Sequence, residues 1–523
     1  MLTQDYKLRD YQEDLIQGIF KSWSAGNRRV MLQLPTGAGK TILFSAISRL
    51  FLEQGLGVLV LAHRKELITQ AHSKLEAISG LSAGFIKARM PVDWDFLVQV
   101  ASVQTLTRRQ RYPEAGLVIC DEAHHSVSKS YTRIFEAYPD AYILGVTATP
   151  MRTDGQGLKN HYDDLIVGVS VDWLVGRGYL CPFRLYAAPV KVDTRGVKIT
   201  AGEFNQRDLA EAVDTSLVAG DVIDAWKKYA FNKQTVVFNV SVEYSRKLTK
   251  AFRAEGIKAE HLDGETPDVE RDAIIGRFRN RETTVLSNCG IVTEGFDVPG
   301  IECIQCVRPT RSLILWLQMI GRSLRPSEGK DYAILIDHSE NWQCLGLPDD
   351  DREWSLAPVS LKPSRFTKVC PKCCHVFSPL PHELSKPWRV DKDVDGKLRN
   401  FHRCTCPACL HEFEFPLGEA EQEIGVQGAP FIDKRVEVVE IDLDVQPWAV
   451  ELIEELLEKQ QKGNYKKGWV YYKLIEHSLA KEFSLGSWRC FAEKLGYKKG
   501  WGWYQWQRIQ EGNVIKESSL ERV

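Results

Sequence analysis

The stretch VMLQLPTGAGKTILFSAISRLF, residues 30–51, decides the fold. VMLQL is short, apolar and branched, and reads as a buried strand. ILFSAISRLF is apolar at helical spacing and reads as a helix. Between them LPTGAGKT, residues 34–41, reads as a phosphate loop. Thr36, Gly37, Ala38 and Gly39 form its cradle. The glycines let backbone N–H groups curl round phosphate oxygens, and the helix N-terminus adds partial positive charge. Lys40 is placed to reach the β/γ-phosphates and the Thr41 hydroxyl a Mg²⁺. A plain glycine-containing turn explains neither the Lys-Thr pair nor the strand–loop–helix order. Leu34 departs from the general pattern, which has glycine there.

The same alternation continues outward. Apolar runs at 57–62, 96–101, 116–120 and 141–146 alternate with helical patterns. Near-continuous apolar strands between helices predict a parallel sheet covered on both faces. The pattern pauses over residues 151–183, then restarts with runs at 235–240, 259–264, 283–288, 302–307 and 332–337. That predicts a second α/β layer structure of similar size. The fold class expected is α/β: two parallel-sheet domains, a small cysteine module and a mainly helical C-terminal domain. The expected bounds are 1–175, 176–345, 346–420 and 421–523.

A chain of 523 residues is too long for one core. Its net charge of -1 provides no global basic field, so binding of a polyanion must use local patches. The opening MLTQDYKLRDYQ is polar, unlike a signal peptide, and no apolar run has the length of a membrane span. A cytoplasmic location is the expectation. Thirteen cysteines, six of them between Cys370 and Cys409, suggest reduced thiols with one metal cluster.

VICDEAHHS, residues 118–126, places Asp121 at the carboxyl end of a predicted strand, where ligands gather in an open α/β sheet. In phosphate-loop enzymes such an acid meets the same Mg²⁺, and Glu122 beside it can polarise the attacking water. Arg322 and Arg325, in QMIGRSLRP, are three apart, so a helix would put them on one face. An arginine supplied across a cleft stabilises charge on the γ-phosphate, worth on the order of 10³–10⁵ in rate.

These motifs, in this order, resemble superfamily 2 helicases and translocases of the DEAH-box type, over roughly the first 340 residues. The flavour is that of phage-encoded DNA helicases and restriction-enzyme motor subunits. The resemblance implies two RecA-like domains, ATP and Mg²⁺. It implies that LRDYQ recognises adenine through Gln12, with Arg9 nearby. TATP, with Thr147 and Thr149, would couple hydrolysis to domain movement, with His124 as a relay. Gln318, Arg322 and Arg325 would act in the last motif, and Gly295 and Asp297 would line the same cleft. Candidate nucleic-acid contacts are Arg64, Thr105, Arg108, Arg109 and Thr293; phosphate contacts of this kind position a strand without reading its sequence.

CPKC and CPAC supply Cys370, Cys373, Cys406 and Cys409, four thiolates suited to a structural tetrahedral Zn²⁺. The 32 residues between the pairs exceed the usual gap, and Cys374, His375 and Cys404 are spare ligands. Residues 461–516 carry eleven Lys/Arg against four Glu, with five tryptophans. Those rings either stack on bases or form a core. The expected function is ATP-driven movement along nucleic acid or separation of its strands, with DNA the favoured partner. A duplex translocase that does not unwind and an ATP-switched binding factor are the alternatives.

Overall fold

The computed structural model describes residues 7–417 except 64, 81, 89, 110, 153–155, 190, 201, 217–218, 293–295, 297, 299, 359–362, 386 and 393–397. Further on it describes 447–463 and positions 470, 473, 474, 487, 491 and 495. The chain divides into two compact units, Met1–Ala429 and Pro430–Val523.

The first unit holds two large sheets. One comprises β1 (Arg29–Gln33), β2 (Val58–Ala62), β3 (Gly84–Ile86), β4 (Val98–Ser102), β5 (Leu117–Asp121), β6 (Tyr142–Thr147) and β7 (Asp164–Val167). Its seven strands run in the order β3-β4-β2-β5-β6-β1-β7, and every pairing is parallel. Alternate residues enter opposite cores, as a period of two requires. Val30 and Leu32 face one apolar cluster, while Met31 faces the other. Both faces are covered, which is why the strands read as unbroken apolar runs.

The second sheet begins with β8 (Phe183–Ala187). A two-residue hairpin of β9 (Ile199–Thr200) and β10 (Glu203–Phe204) interrupts it. It continues with β11 (Thr235–Phe238), β12 (Ala259–Leu262), β13 (Val285–Asn288), β14 (Cys303–Cys306), β15 (Ala333–Asp337), β16 (Lys368–Val369) and β17 (His375–Phe377). The order is β12-β13-β11-β14-β15-β8-β17-β16. Val237 and Ile334 pack on one face, Val236 and Leu335 on the other. All ten apolar runs read as strands in the sequence form strands here.

Three elements depart from the sequence reading. The pause at 151–183 conceals β7, an edge strand too short and too exposed to show a period. β8 pairs parallel to β15, some 150 positions later, so no local pattern announces it. The first cysteine pair belongs to a hairpin, β16–β17, that extends the second sheet, with β17 antiparallel to β8. The second pair lies in a three-stranded sheet of β18 (Arg389–Lys392), β19 (Leu398–Thr405) and β20 (Glu412–Leu417).

The two large sheets are joined through the helix Val171–Gly176 and the residues after it. Leu174 and Leu180 belong to the first sheet's core cluster, which also takes in Leu324 from the second half. The chain then returns: Leu158 N and Lys159 N donate to Leu356 O at 2.7 and 3.1 Å.

In the second unit the helix Pro447–Gly463 buries Ile453 and Leu456 and exposes Glu454, Glu455, Glu458 and Lys459, the amphipathic pattern its sequence predicts. The five tail tryptophans lie outside the described residues. No helix among the described residues is long and apolar enough to cross a membrane.

Candidate nucleotide site and cysteine cluster

Three adjacent strands of the first sheet deliver the candidate residues at their carboxyl ends. β1 leads into the phosphate loop, β5 ends at Asp121 and β6 ends at Thr147. The register pairs Gln33 with Thr147 and Asp121 with Val146, so the groups share one rim. Gly37 and Gly39 have φ of +87° and +86°, where a side chain is strained. Space forbids one as well: a Cβ at Gly39 would lie 2.5 Å from Gln12 Nε2. Lys40 opens the helix Lys40–Glu53, and its Nζ donates to Leu34 O at 3.2 Å and Pro35 O at 3.5 Å. Burial pulls the Lys40 pKa down, while Glu122 and Asp121 hold it up.

Glu122 sits in the left-handed region at φ +50°, and its N–H donates to Asp121 Oδ1 at 3.0 Å. Burial, then the neighbouring Glu122 charge, pushes the Asp121 carboxyl up to about 6. A half-buried acid pair opposite a half-buried lysine suits a divalent cation, whose charge would relieve the repulsion. His124 Nδ1 lies 3.0 Å from Thr147 Oγ1 and 3.5 Å from Glu122 Oε2. Thr147 Oγ1 in turn donates to Thr149 O and accepts from Thr149 N, at 3.2 and 3.1 Å. His124 is therefore bonded into the TATP turn, while His125 packs edge-on against the ring of His63.

On the base side, the Gln12 carbonyl oxygen accepts from Arg9 N at 3.0 Å. Its Nε2 is buried with no acceptor in the protein. A buried, unmatched amide N–H beside a phosphate loop fits a ligand that offers an acceptor. Tyr11 OH donates to Ala38 O at 2.7 Å, which ties the base side to the loop.

The second half meets this rim directly. A Cβ added to Gly321 would lie 2.8 Å from Thr36 Cβ, and one on Gly37 would lie 3.6 Å from Arg325 Cγ. The helix carrying Gln318 runs Leu313–Gly321 and stops there, so Arg322 and Arg325 do not share a helical face. Arg322 is the C-cap residue and donates to Phe296 O at 3.0 Å; Arg325 lies beyond, beside Gly37. Past the helix end the loop is held by a lysine. Lys330 Nζ donates to Ser323 O, to Arg325 O at 2.9 Å and to Ile301 O at 2.7 Å. Lys330 was not legible as a site residue, because its three acceptors come together only in the fold. Gln318 is buried, with Nε2 lacking an acceptor in the protein.

Other candidates fall elsewhere. Thr105, Arg108 and Arg109 lie on the helix Val103–Arg109. Arg108 is exposed, and Arg109 donates to Met90 O at 2.8 Å and Lys87 O at 3.3 Å. Arg64, Thr293, Gly295 and Asp297 lie outside the described residues.

The sulfurs of Cys370, Cys373, Cys406 and Cys409 all lie within 4.8 Å of one another. Cys370 to Cys409 is 3.7 Å and Cys373 to Cys406 is 3.6 Å. A tetrahedron with Zn–S bonds of about 2.3 Å has S···S edges of about 3.8 Å, so the set fits zinc. The separations are far from the roughly 2.05 Å of a disulfide. The spare candidates stand outside the cluster: His375 Nδ1 faces Leu185 O at 3.1 Å, and Cys374 and Cys404 are not among the four.

Two mainly parallel sheets, with a phosphate loop on one and an arginine-bearing loop of the other seated on it, define a two-domain RecA-like nucleotide-binding core. The comparisons agree. Residues 5–152 match the family model described as Type III restriction enzyme, res subunit, and residues 219–327 match the helicase conserved C-terminal domain. A 51.5 kDa protein of a Lactococcus phage is 37% identical over 70% of this chain and 79% of its own. A Saccharomyces cerevisiae protein assigned as ATP-dependent helicase IRC3 is 35% identical over 67% of this chain. This chain spans 55% of that relative's length. A fragment assigned as the HsdR subunit of a type I restriction enzyme from Vibrio vulnificus shares the fold, with a TM-score of 0.51 at 21% identity over 65% of this chain and 66% of its own. The chain belongs to the superfamily 2 helicases and translocases, as an ATP-dependent enzyme acting on nucleic acid.

Proposed function

We propose that this chain hydrolyses Mg-ATP at the rim between its two RecA-like domains and uses the cycle to move along DNA or to part its strands. The observation that carries the reading is the seating of Gly321 and Arg325 against Thr36 and Gly37. Closure of the two domains is then the same event as delivery of an arginine to the phosphate loop.

In this scheme Gln12 and Arg9 hold the base. The backbone of Thr36 to Gly39, with Lys40, holds the phosphates. Thr41 and Asp121 hold the Mg²⁺, which would neutralise phosphate charge, and Glu122 takes a proton from the attacking water. Arg325, with Arg322 behind it and Gln318 alongside, stabilises the charge that builds on the leaving phosphate oxygens. His124, bonded to Thr147, relays the state of Glu122 to the TATP turn. Arg108, exposed on its helix, Thr105 and Arg109 follow the phosphate backbone, together with Arg64 and Thr293; Gly295 and Asp297 complete the cleft. The four cysteines hold a structural Zn²⁺.

DNA is favoured as substrate because a relative 24% identical over 64% of this chain is the type I restriction enzyme EcoAI endonuclease subunit of Escherichia coli. The test is steady-state ATPase activity against single-stranded, duplex, forked and branched DNA and against RNA. Stimulation by RNA alone refutes the DNA reading. Stimulation by duplex without strand separation selects a translocase. Glu122→Gln abolishes turnover and keeps ATP binding; normal hydrolysis by this variant or by Lys40→Ala refutes the site.

A further inference from the structure

We propose that Tyr179 is a positioning residue that sets the choice of nucleotide base and ties that choice to domain closure; this rests on the nucleotide-site reading above. The Arg9 guanidinium lies 3.9 Å over the Tyr179 ring centroid. Its Nη1 is also 3.5 Å from Tyr11 OH, whose own proton goes to Ala38 O. Tyr179 and Tyr11 are 5.9 Å apart, and Trp173 meets Tyr11 edge-on at 5.4 Å. Tyr179 and Tyr11 therefore hold the guanidinium, Trp173 backs Tyr11, and the Arg9 backbone is bonded to the Gln12 amide whose own N–H is buried and unmatched. An arginine held over a ring can offer its far side to a purine.

The place of Tyr179 in the chain gives the second half of the argument. It lies in the connection between the two large sheets, where its N–H donates to Leu174 O at 2.8 Å. The next residue, Leu180, touches the phosphate loop: its Cδ2 would lie 2.9 Å from a Cβ at Gly37. The residue after that, Cys181, donates its N–H to Leu324 O at 2.7 Å, one position before Arg325. Three consecutive residues thus contact the base-side arginine, the phosphate loop and the arginine-bearing loop in turn. A tripeptide this short transmits a displacement at one end to the other with little slack, as close packing requires. A base that seats properly on Arg9 steadies Tyr179, and through Leu180 and Cys181 it steadies the loop that carries Arg325.

The test uses the full chain with Tyr179→Leu and Tyr179→Phe, measuring kcat and KM for ATP, GTP and inorganic tripolyphosphate. Loss of a half-buried cation–ring contact is expected to raise the ATP KM by about 2- to 30-fold in Tyr179→Leu. The ATP-to-GTP ratio of kcat/KM should fall by a similar factor, with tripolyphosphate, which has no base, changed less than twofold. Tyr179→Phe keeps the ring and should restore both the KM and the ratio. An unchanged ratio in Tyr179→Leu, an equal loss for tripolyphosphate, or failure of Tyr179→Phe to rescue overturns the proposal. Lys40→Ala serves as the separate control: if it too retains turnover, it is the nucleotide site that is misplaced.

Discussion

Gly321→Ala isolates the contact between the two halves of the motor. Gly321 is the last residue of the helix Leu313–Gly321. Within that helix an alanine is favourable, by up to about 1 kcal/mol. Against the neighbouring domain it is not. The new Cβ would lie 2.8 Å from Thr36 Cβ and 3.0 Å from Thr36 Cγ2. Ordinary carbon contacts are about 3.5–4.0 Å, so the helix and the phosphate loop must part by roughly 0.7–1.2 Å. Rotating the Thr36 side chain brings no relief, because its Cβ is fixed by the backbone. That backbone is held in turn: Leu34 N donates to Thr147 O at 2.9 Å and Ala38 N to Pro35 O at 3.2 Å. A cavity of about 100 Å³ borders Thr36, but only a shift of the loop itself could use it. Overpacking of this kind costs about 1–3 kcal/mol. Every 1.4 kcal/mol is tenfold, so the closed population falls by roughly 5- to 150-fold. The outcome expected is a kcat lower by that order, with a melting temperature no lower than the parent's. The assay is steady-state ATP hydrolysis at saturating nucleic acid, beside a thermal melt. A kcat within twofold of the parent refutes the idea that this contact is the catalytically competent closure.

Other outcomes follow from the same geometry. Burial lowers the Lys330 pKa to about 8, with Cys181, Glu302 and Arg325 around it. Above that pH the amine keeps two N–H donors for three carbonyls, so kcat should fall as pH rises past about 8. Lys330→Met should flatten that limb and lower kcat throughout; an unchanged alkaline limb discounts the clamp. Stability moves the other way. The folded pKa lies below the unfolded value of about 10.4, so burial of this lysine withdraws stability below about pH 8 and stops doing so as pH climbs towards the unfolded value. His124→Ala removes the bond to Thr147 Oγ1, worth about 0.5–1.5 kcal/mol. Stimulation of ATPase by nucleic acid should drop by roughly 2- to 10-fold, and full stimulation would separate His124 from the coupling route. Metal analysis of the purified chain should find about one zinc per chain, lost in Cys370→Ser. A folded chain free of metal would count against the cluster.

The sequence was most legible where chemistry is local. The turn at Gly37–Gly39, the lysine after it and the acid at the end of GLVIC all lie where a strand's period of two ends, so order along the chain places them on one rim. The paired Cys-x-x-C spacing was legible for the same reason, although each knuckle joins a different sheet. What had no signal depended on distant partners. β8 needed β15, the spare Cys374 and Cys404 needed the cluster to be closed by the other four, and Tyr179 needed Arg9.

By itself, then, the amino-acid order determined the two α/β halves, the phosphate loop, the acid pair and the four thiols, because periodicity and short spacing bind each to its own neighbours. Tertiary structure alone decided that the helix before Arg322 stops at Gly321, that Arg325 is the residue beside Gly37, that Lys330 holds the Arg325 backbone, and that Tyr179 lies against Arg9. Those contacts join residues more than a hundred positions apart, or loop carbonyls that only the fold brings to one lysine, and neither leaves a trace in local pattern.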